Sequence, residues 1–500
     1  MIVNKTMFPV QTGFRAISQM SSRLDTLQVQ LASGQKATTL AEMGDSRGTS
    51  LALRARLTAL DGYATSIETV NLRLSVLDTS IKQLNTLSSN TRNAMVPGAY
   101  GTGDVNLTAA PGQAKARLDE VLSLLNTDVN GRYLFSGSAS DAKTVPQVDA
   151  LLYGSGTKQG FAEIAQQRLA ADTGVAGQGR LSVSTTGTEV TLAEEATVFG
   201  IKISGATASN ASISTPAASG DPQSQSIAFG GQPFPGDTVT FALQMPDGSS
   251  HTLKLTAVSG PAGAGEFSIG GNASATAANF GSALETALQQ TTKTVMASAS
   301  RFAAADNFFN GAGDPVMRVA APPGGNWAEA TGLVAATDAN TVLWYRGGDE
   351  NPPRQGVTAR IDDNTRVAYG VQANERGIVD LVRSLAVVAT DTFSSSDPTA
   401  KARFDATGSR QIERLSESRN SQPGSLAVIA VDLGLARTTT AATAARQSDY
   451  RGQLENLLAD IEQIEPEAVA MEILALRTRL EASYATTSAI SQLSLVNYIR

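Results

Sequence analysis

An unbroken helical stripe near the N-terminal end most limits how this chain can fold. Between Gly48 and Pro97, apolar residues recur at every third or fourth position for about five heptads, with no proline inside the run. A single surface helix rarely keeps such a stripe so long, whereas a helix packed against partner helices does. The stripe consists of Leu53, Leu57, Leu60, Ala64, Ile67, Val70, Leu74, Leu77, Ile81, Leu84 and Leu87.

Similar stripes occupy both ends of the chain. The first run ends at Ser33 and Gly34, where glycine interrupts the helix. At the other end, Pro466 fits the first turn of a helix that continues toward Arg500 without another Gly or Pro. We predict that these two terminal helices form subunit interfaces through Val10, Phe14, Ile17, Leu24, Leu27, Leu31, Ile473, Leu476, Leu480, Tyr484, Ile490, Leu493, Leu495 and Tyr498.

The middle of the chain follows a different pattern. It is rich in Gly, Ala, Ser and Thr, and its apolar residues alternate over short runs, which is typical of β-strands. The clearest hairpin has alternating Val239, Phe241 and Leu243 before an Asp247-Gly248 turn, with its return strand after the turn. This pattern predicts an inserted β-rich domain with a core of its own.

The sequence therefore predicts an α+β multidomain protein. Long antiparallel N- and C-terminal coiled-coil-like helices would flank an inserted β-rich middle domain. Residues 1–45 with 466–500 would form a terminal helical assembly domain, and residues 46–138 with 371–465 a helical bundle domain. Residues 139–370 would form a variable domain that faces outward.

The terminal stripes also bear on assembly. Isolated helices are only marginally stable in water, so apolar stripes on them need partners. Packing the two termini on each other covers part of this surface, and the remainder predicts a polymer or a ring. The competing interpretation, a helical core inside a soluble monomer, stays open at this stage.

Composition excludes several kinds of chemistry. The chain has no cysteine and a single histidine, His251, so disulfides, thiolate metal sites and multi-histidine zinc sites are impossible. His251 flanks the predicted turn, where a solvated role is expected. Asp362-Asp363-Asn364 lacks the glycine and distal glutamate of an EF-hand loop, which favours a polar turn. We predict no enzymatic activity, no cofactor and no bound metal.

The charge balance limits the possible partners. With 39 Lys+Arg against 46 Asp+Glu and no basic cluster, the chain lacks the basic face of a nucleic-acid binder. No uninterrupted apolar run approaches the roughly 18 residues that span a bilayer. The first residues lack the apolar core and cleavage site of a secretory signal. We expect neither nucleic-acid binding nor membrane insertion.

Four short segments resemble one known family. Leu31–Gly34 is similar to an L-[AS]-[ST]-G element, and Asn130–Gly137 reads N-G-R-Y-L-F-S-G. Near the other end, Leu480–Tyr484 and Ser494–Ile499 complete the set. Together they resemble the flagellin superfamily and, within it, the hook–filament junction branch. The motif residues of the second segment are Gly131, Arg132, Tyr133, Phe135 and Gly137.

The resemblance covers about residues 1–140 and 370–500, and the middle has no specific match. The chain departs from the family at AEMGDSRGTS, where many relatives have a more acidic segment. This departure affects the contacts of one loop and leaves the helical pattern intact.

The resemblance implies a structural component of the extracellular bacterial flagellum that joins hook to filament. It implies export by the flagellar secretion system without a cleaved signal peptide. The implied partners are further copies in a ring-like layer, a neighbouring hook-associated protein, flagellin, and an export chaperone that binds the C-terminal helix.

Two other functions remain open. The chain could be a filament-forming flagellin, or a surface adhesin or glycan-binding protein that acts through its middle domain. Tyr133 and Phe135 are equally compatible with a subunit contact and with the core of a short strand.

Overall fold

A computed structural model describes the backbone of residues 7–310 and 315–498 and the side chains of residues 11–310 and 315–490. The protein is 53% helical, with long helices toward both ends and a β-rich middle. The α+β multidomain prediction is therefore confirmed. The chain divides into two compact units, and the predicted three-domain boundaries stay a prediction.

Eleven α-helices lie within the described residues. In chain order they are α1 Met7–Ser33, α2 Ser46–Arg92, α3 Val105–Leu125, α4 Val148–Tyr153, α5 Phe161–Thr173, α6 Ala273–Thr291, α7 Ala297–Phe308, α8 Arg376–Ala389, α9 Ala400–Arg414, α10 Leu426–Glu462 and α11 Pro466–Tyr498. The helix α2 covers the long apolar stripe, and α11 begins at the proline that the sequence places in its first turn.

The strands are short and concentrated in the middle of the chain. They are β1 Asp128–Val129, β2 Arg132–Tyr133, β3 Leu181–Thr186, β4 Glu189–Glu194, β5 Lys202–Ala208, β6 Ile213–Ser214, β7 Ser224–Phe229, β8 Thr238–Gln244, β9 Ser250–Val258, β10 Glu266–Ser268, β11 Met317–Val319, β12 Leu333–Ala335, β13 Thr358–Arg360 and β14 Arg366–Ala368. Two four-stranded sheets have the orders β3-β4-β7-β6 and β10-β9-β8-β5, and three two-stranded sheets accompany them.

The first unit is helical. It contains the described residues of Met1–Val70, Arg360–Arg366 and Thr438–Arg500. Within it, α2 and α10 run antiparallel, since Arg54 pairs with Glu462 and Asp61 with Arg451. At the predicted stripe positions of α2 in this unit, Leu60, Ile67 and Val70 are buried, and the other three are half-buried, as expected of an amphipathic helix in a bundle.

The second unit contains Asn71–Ala359 and Val367–Arg437. Its helical part packs α3 on α8 and α5 on α7. The α3 side chains facing this contact are spaced three or four apart, as Leu118, Val121 and Leu125 illustrate, and all three are fully buried. This spacing places them on one helical face, which is the reason the segment is amphipathic.

The β-rich part of the second unit has a continuous apolar core. Side chains from both four-stranded sheets meet the buried face of α6. The ring of Phe280 on α6 lies 5.3 Å from Phe229 and 5.1 Å from Phe267, both in edge-to-face geometry. Such aromatic clusters bury large areas and favour this packing over other arrangements.

The predicted hairpin is confirmed as β8 and β9. They pair antiparallel, with Val239 opposite Leu255 and Phe241 opposite Leu253, and the turn lies at residues 245–249. His251 lies on β9 opposite Leu243, beside the turn as expected, and it is half-buried and therefore only partly solvated. Burial first, and then the nearby charge of Arg410, lower the pKa of His251 below its ordinary value.

Candidate subunit interface

The two terminal helices pack against each other in the first unit. Gly13 lies beside Thr487, Arg23 binds Glu472, and Gln35 bridges Gln463. Residue numbers rise along α1 as they fall along α11, so the helices are antiparallel. We call α1 and α11 together the terminal pair.

One stripe of each helix lies inside the terminal pair. Ile17 and Leu27 on α1 are buried, as are Leu476 and Leu480 on α11. Leu24 and Ile473 are half-buried beside them. These residues repeat at helical spacing, so the pair satisfies part of the predicted interface within one chain.

Other predicted interface residues face away from this contact. Phe14 is 59% exposed and Tyr484 is 56% exposed, and Leu31 and Ile490 are also exposed. Gly13 lies opposite Thr487, so Phe14 and Tyr484 lie within about one helical turn of each other along the pair. The side chains of Val10, Leu493, Leu495 and Tyr498 lie outside the described residues.

The terminal pair exposes apolar residues that the stripe did not include. Val29 on α1 and Met471 and Leu474 on α11 are all more than half exposed. Leu474 follows Ile473 directly, so the turn of the helix takes it off the buried stripe. A single apolar stripe on each helix does not include these residues, although they are apolar in the sequence.

At one end of the terminal pair, the residues between the two helices have small side chains. Gly13 and Ala16 face Ala482, Ser483, Thr486 and Thr487 across a cavity of about 290 Å³. Small side chains let helix backbones come close, but they leave this space unfilled. The terminal pair is therefore packed less completely here than at Leu27, which is 1% exposed.

The N-G-R-Y-L-F-S-G segment forms the hairpin of β1 and β2. Asn130 and Gly131 make its turn with φ values of 55° and 75°, and Gly131 N–H donates to Asp128 Oδ2 at 2.9 Å. Positive φ at two successive residues matches the I′ turns that favour Asn-Gly. Phe135 is fully buried, so it is a core residue, while Tyr133 is half-buried and Arg132 is exposed.

Gly137 ends this motif in a constrained position. Its φ is 57°, its N–H donates to Val371 O at 3.1 Å, and a Cβ here would lie 2.8 Å from Glu350 Oε2. Both the backbone conformation and the lack of space explain why glycine stands at this position.

Residues 5–140 match the family model of the bacterial flagellin N-terminal helical region. This range contains α1, α2, α3 and the β1–β2 hairpin. The match supports the flagellin superfamily. Comparison with curated proteins found no match.

The flagellin family is a structural family whose members assemble into polymers of the extracellular flagellum. The match therefore supports a flagellar structural component, through its flagellin-like N-terminal region. The terminal pair has exposed apolar residues on both of its helices.

The remaining polar candidates have structural partners. Asp363 accepts hydrogen bonds from Arg56 and from Tyr63, the latter at 2.8 Å, which lowers its pKa. The hydrogen bond from Arg56 is the largest cause and that from Tyr63 the next. Among the side chains described for residues 11–310 and 315–490, no group of three or more His, Asp or Glu is placed to hold a metal ion.

By length and composition alone, α10 could cross a membrane, and no other helix in the described part of the chain meets this test. A third of the residues in its most apolar window, 33%, are buried inside the protein. Core helices of water-soluble proteins pass the same test.

Proposed function

We propose that this chain is a hook–filament junction protein of the hook-associated protein 3 type. It joins the hook to the filament by packing its terminal helices against neighbouring subunits. The observation that carries the proposal is the terminal pair, whose buried stripe leaves Phe14, Tyr484, Met471 and Leu474 exposed.

The exposed apolar side chains favour association. The helices α1 and α11 are 27 and 33 residues long, and each contributes one buried stripe to a contact with the other. Two-helix contacts of this kind are marginal alone, and covering the remaining apolar area with another subunit stabilises them further. Exposed apolar patches on a protein surface commonly mark such contacts.

The short motifs favour a junction protein over a filament subunit. The N-G-R-Y-L-F-S-G hairpin and the segment Ser494–Ile499 resemble the junction branch. The second candidate, a filament-forming flagellin, has the N-terminal family match in its favour.

The proposal includes the partners that the family resemblance implies. The chain forms a ring-like layer of identical subunits between a neighbouring hook-associated protein and flagellin. It travels through the flagellar secretion system without a cleaved signal peptide, with a chaperone bound at residues 466–500. It acts as a structural protein without enzymatic activity, and it neither binds nucleic acid nor inserts into a membrane.

Deletion of the chain from its bacterium, followed by electron microscopy, tests the proposal. We expect finished hooks without filaments and unattached filament protein in the medium. Filaments of normal length and number on the deletion strain would refute a junction role. If the deletion instead removes the main subunit from which filaments are built, so that no filament protein reaches the medium, the chain is a filament flagellin.

Complementation of that strain tests the terminal pair. Chains with Phe14→Ser and Tyr484→Ser should fail to restore filaments, because these exposed residues would no longer bury apolar area against a neighbour. The matched control is Val175→Ser, since Val175 is also an exposed apolar residue but lies in the second unit. Equal complementation by all three variants would exclude Phe14 and Tyr484 from the interface.

The chaperone is tested by binding of the purified full-length chain and of a chain lacking residues 466–500. The shortened chain should lose the interaction, because an amphipathic helix is the expected target. Equal affinity for both chains would remove the chaperone from this proposal.

A further inference from the structure

The β1–β2 hairpin forms one wall of a pocket in the second unit. A turn of α2 and the segment around residues 356–358 form the other walls, and the pocket holds about 270 Å³. We call it the arginine pocket. Its lining consists of Arg73, Leu77, Arg132, Tyr133, Leu134, Gly137, Ser138, Ser140, Gly356, Val357, Thr358 and Tyr369.

The arginine pocket carries positive charge that its own lining does not neutralise. Arg73 and Arg132 both line it, and no acidic side chain does. Among the described residues, neither arginine has a carboxylate within ion-pair distance. Two guanidinium groups that line one pocket repel each other, so an acidic group between them would be stabilising.

One acidic residue next to the pocket wall, Glu350, already has hydrogen-bond partners of its own. Glu350 lies behind the glycines of the pocket wall, with Oε2 2.8 Å from a Cβ built on Gly137. Its carboxylate accepts hydrogen bonds from Ser138 and from Gln372, the latter at 2.9 Å. Because its carboxylate is occupied by these bonds, Glu350 forms no ion pair with the two arginines of the pocket, and their guanidinium groups can bind another carboxylate.

A hydrogen bond fixes the orientation of the Arg73 guanidinium group. Its Nη1 donates to the hydroxyl of Tyr369 at 3.0 Å, and Tyr369 is buried. Its Nε is shielded from solvent and has no hydrogen-bond partner. A fixed guanidinium loses little side-chain freedom on binding, and its fork of N–H groups matches the two oxygens of a carboxylate.

The rest of the lining suits the same ligand. Arg132 is exposed at the rim, where it is free to meet an incoming charge. Tyr133, Ser140 and Thr358 add hydroxyl groups that donate hydrogen bonds to oxygen. The space takes a group the size of an Asp or Glu side chain.

We propose that the arginine pocket receives an acidic side chain from a second copy of this chain. This inference rests on the proposed function, because a polymer places copies side by side. The chain has 46 Asp+Glu against 39 Lys+Arg, so each copy presents surplus carboxylates to its neighbours. A pocket on one surface and a carboxylate on another form the head-to-tail contact that rings and filaments use.

Zero-length cross-linking in intact flagella tests this contact. A carbodiimide joins a carboxylate to an amine with loss of water, and arginine does not take part. In flagella from cells producing the Arg132→Lys chain, peptide mapping of cross-linked dimers should find the introduced lysine joined to an Asp or Glu of another copy. The matched control is Arg117→Lys, because Arg117 is a partly exposed arginine outside the pocket.

The yield at position 132 should exceed that at position 117 by roughly fivefold, since the pocket concentrates a carboxylate there. Adding Arg73→Gln to the Arg132→Lys chain should lower the yield by a similar factor. A yield at position 132 no higher than the control, or a bond to a different protein, would overturn the inference.

The outcomes also separate this inference from the proposed function. If the wild-type chain is absent from purified flagella, the proposed function fails and the inference falls with it. If the chain is present and native lysines cross-link between copies while position 132 does not, only the inference fails.

Discussion

Arg54 donates hydrogen bonds from Nε and Nη2 to the two carboxylate oxygens of Glu462, at 2.9 and 2.6 Å, across 408 residues of sequence. Ser50 donates to the same carboxylate at 2.5 Å. The three residues tie the N-terminal end of α2 to the last residue of α10 within the first unit. A negative charge at a helix C-terminus is unfavourable unless it is paired, so this contact specifies how the two helices align.

Glu462→Gln should destabilise the first unit slightly at neutral pH. Arg54 is mostly exposed, so we expect a loss of about 0.5–1 kcal/mol in the free energy of unfolding. The hydrogen bond from Arg54 lowers the pKa of Glu462 below its ordinary 4.5; burial opposes this and Ser50 adds to it. The stabilisation is therefore present above pH 4.5 and is lost as pH falls through the lower folded-state pKa.

Urea denaturation of wild type and Glu462→Gln at pH 7 and pH 3 measures this difference. The control is Lys82→Gln, which removes a largely exposed ion pair with Asp78 inside α2 and should change stability less. A loss that persists unchanged at pH 3 would show that the charge of Glu462 is not responsible.

Leu27→Ala and Phe14→Ala should separate the core of the terminal pair from its outer surface. Leu27 is buried, so its truncation should cost about 2–4 kcal/mol in the free energy of opening the pair. Phe14 is exposed, so its truncation should cost less than about 0.5 kcal/mol in the lone subunit. Amide hydrogen exchange in α1 of the purified subunit measures both. Equal effects would place Phe14 in the subunit's own core.

Gly131→Ala should destabilise the protein by backbone strain alone. Gly131 has φ 75°, and a Cβ there would meet nothing within 4 Å. Alanine disfavours this conformation by about 1 kcal/mol, and the melting temperature should fall accordingly. The control is Gly112→Ala in α3, where φ is not positive and a Cβ also meets nothing; this change should stabilise the helix. A neutral Gly131→Ala would show that the turn relaxes.

Arg410→Gln should be the most destabilising of the polar substitutions considered. Arg410 Nε donates to Asp247 Oδ2 at 2.7 Å, and only 11% of the Arg410 side chain and 4% of the Asp247 side chain are exposed. Removing the guanidinium leaves a buried carboxylate unpaired, which should cost about 2–4 kcal/mol in the free energy of unfolding. Adding Asp247→Asn should recover part of this loss, because it removes the unpaired charge. Guanidinium chloride denaturation of the two variants tests both statements.

The same pair predicts a pH dependence. Burial raises the pKa of Asp247, but the charge of Arg410 and hydrogen bonds from Ser249 outweigh burial and lower it below 3.8. Because the folded-state pKa is depressed, its contribution to stability is present above pH 3.8 and is lost as pH falls through the lower value. The difference between wild type and Asp247→Asn should therefore shrink in acid. A constant difference from pH 7 to pH 2 would contradict this assignment.

Local patterns were sufficient for much of the fold. Apolar spacing alone predicted α2, the two terminal helices and the β8–β9 hairpin, because each depends on residues close in sequence. Pro466 and Gly34 likewise marked a helix start and a helix end through their own backbone preferences. These features need no knowledge of distant contacts.

The faces of the helices required the tertiary structure. The sequence assigned Phe14 and Leu27 to one interface, yet one is exposed and the other buried. Which residues of a wide apolar face become covered depends on the register and rotation of the partner helix, and periodicity specifies neither. The sequence was equally compatible with Phe135 in the core and with Phe135 at a subunit contact. Its burial depends on segments distant in sequence, so only the structure could decide between the two.

The sequence by itself determined that both ends form amphipathic helices around a β-rich middle, since helical and strand periodicities are properties of the chain alone. Only the tertiary structure decided which charges and pockets meet. Arg54 and Glu462, or the walls of the arginine pocket, come together from segments hundreds of residues apart. Such contacts depend on how helices and loops pack, and no local preference encodes them.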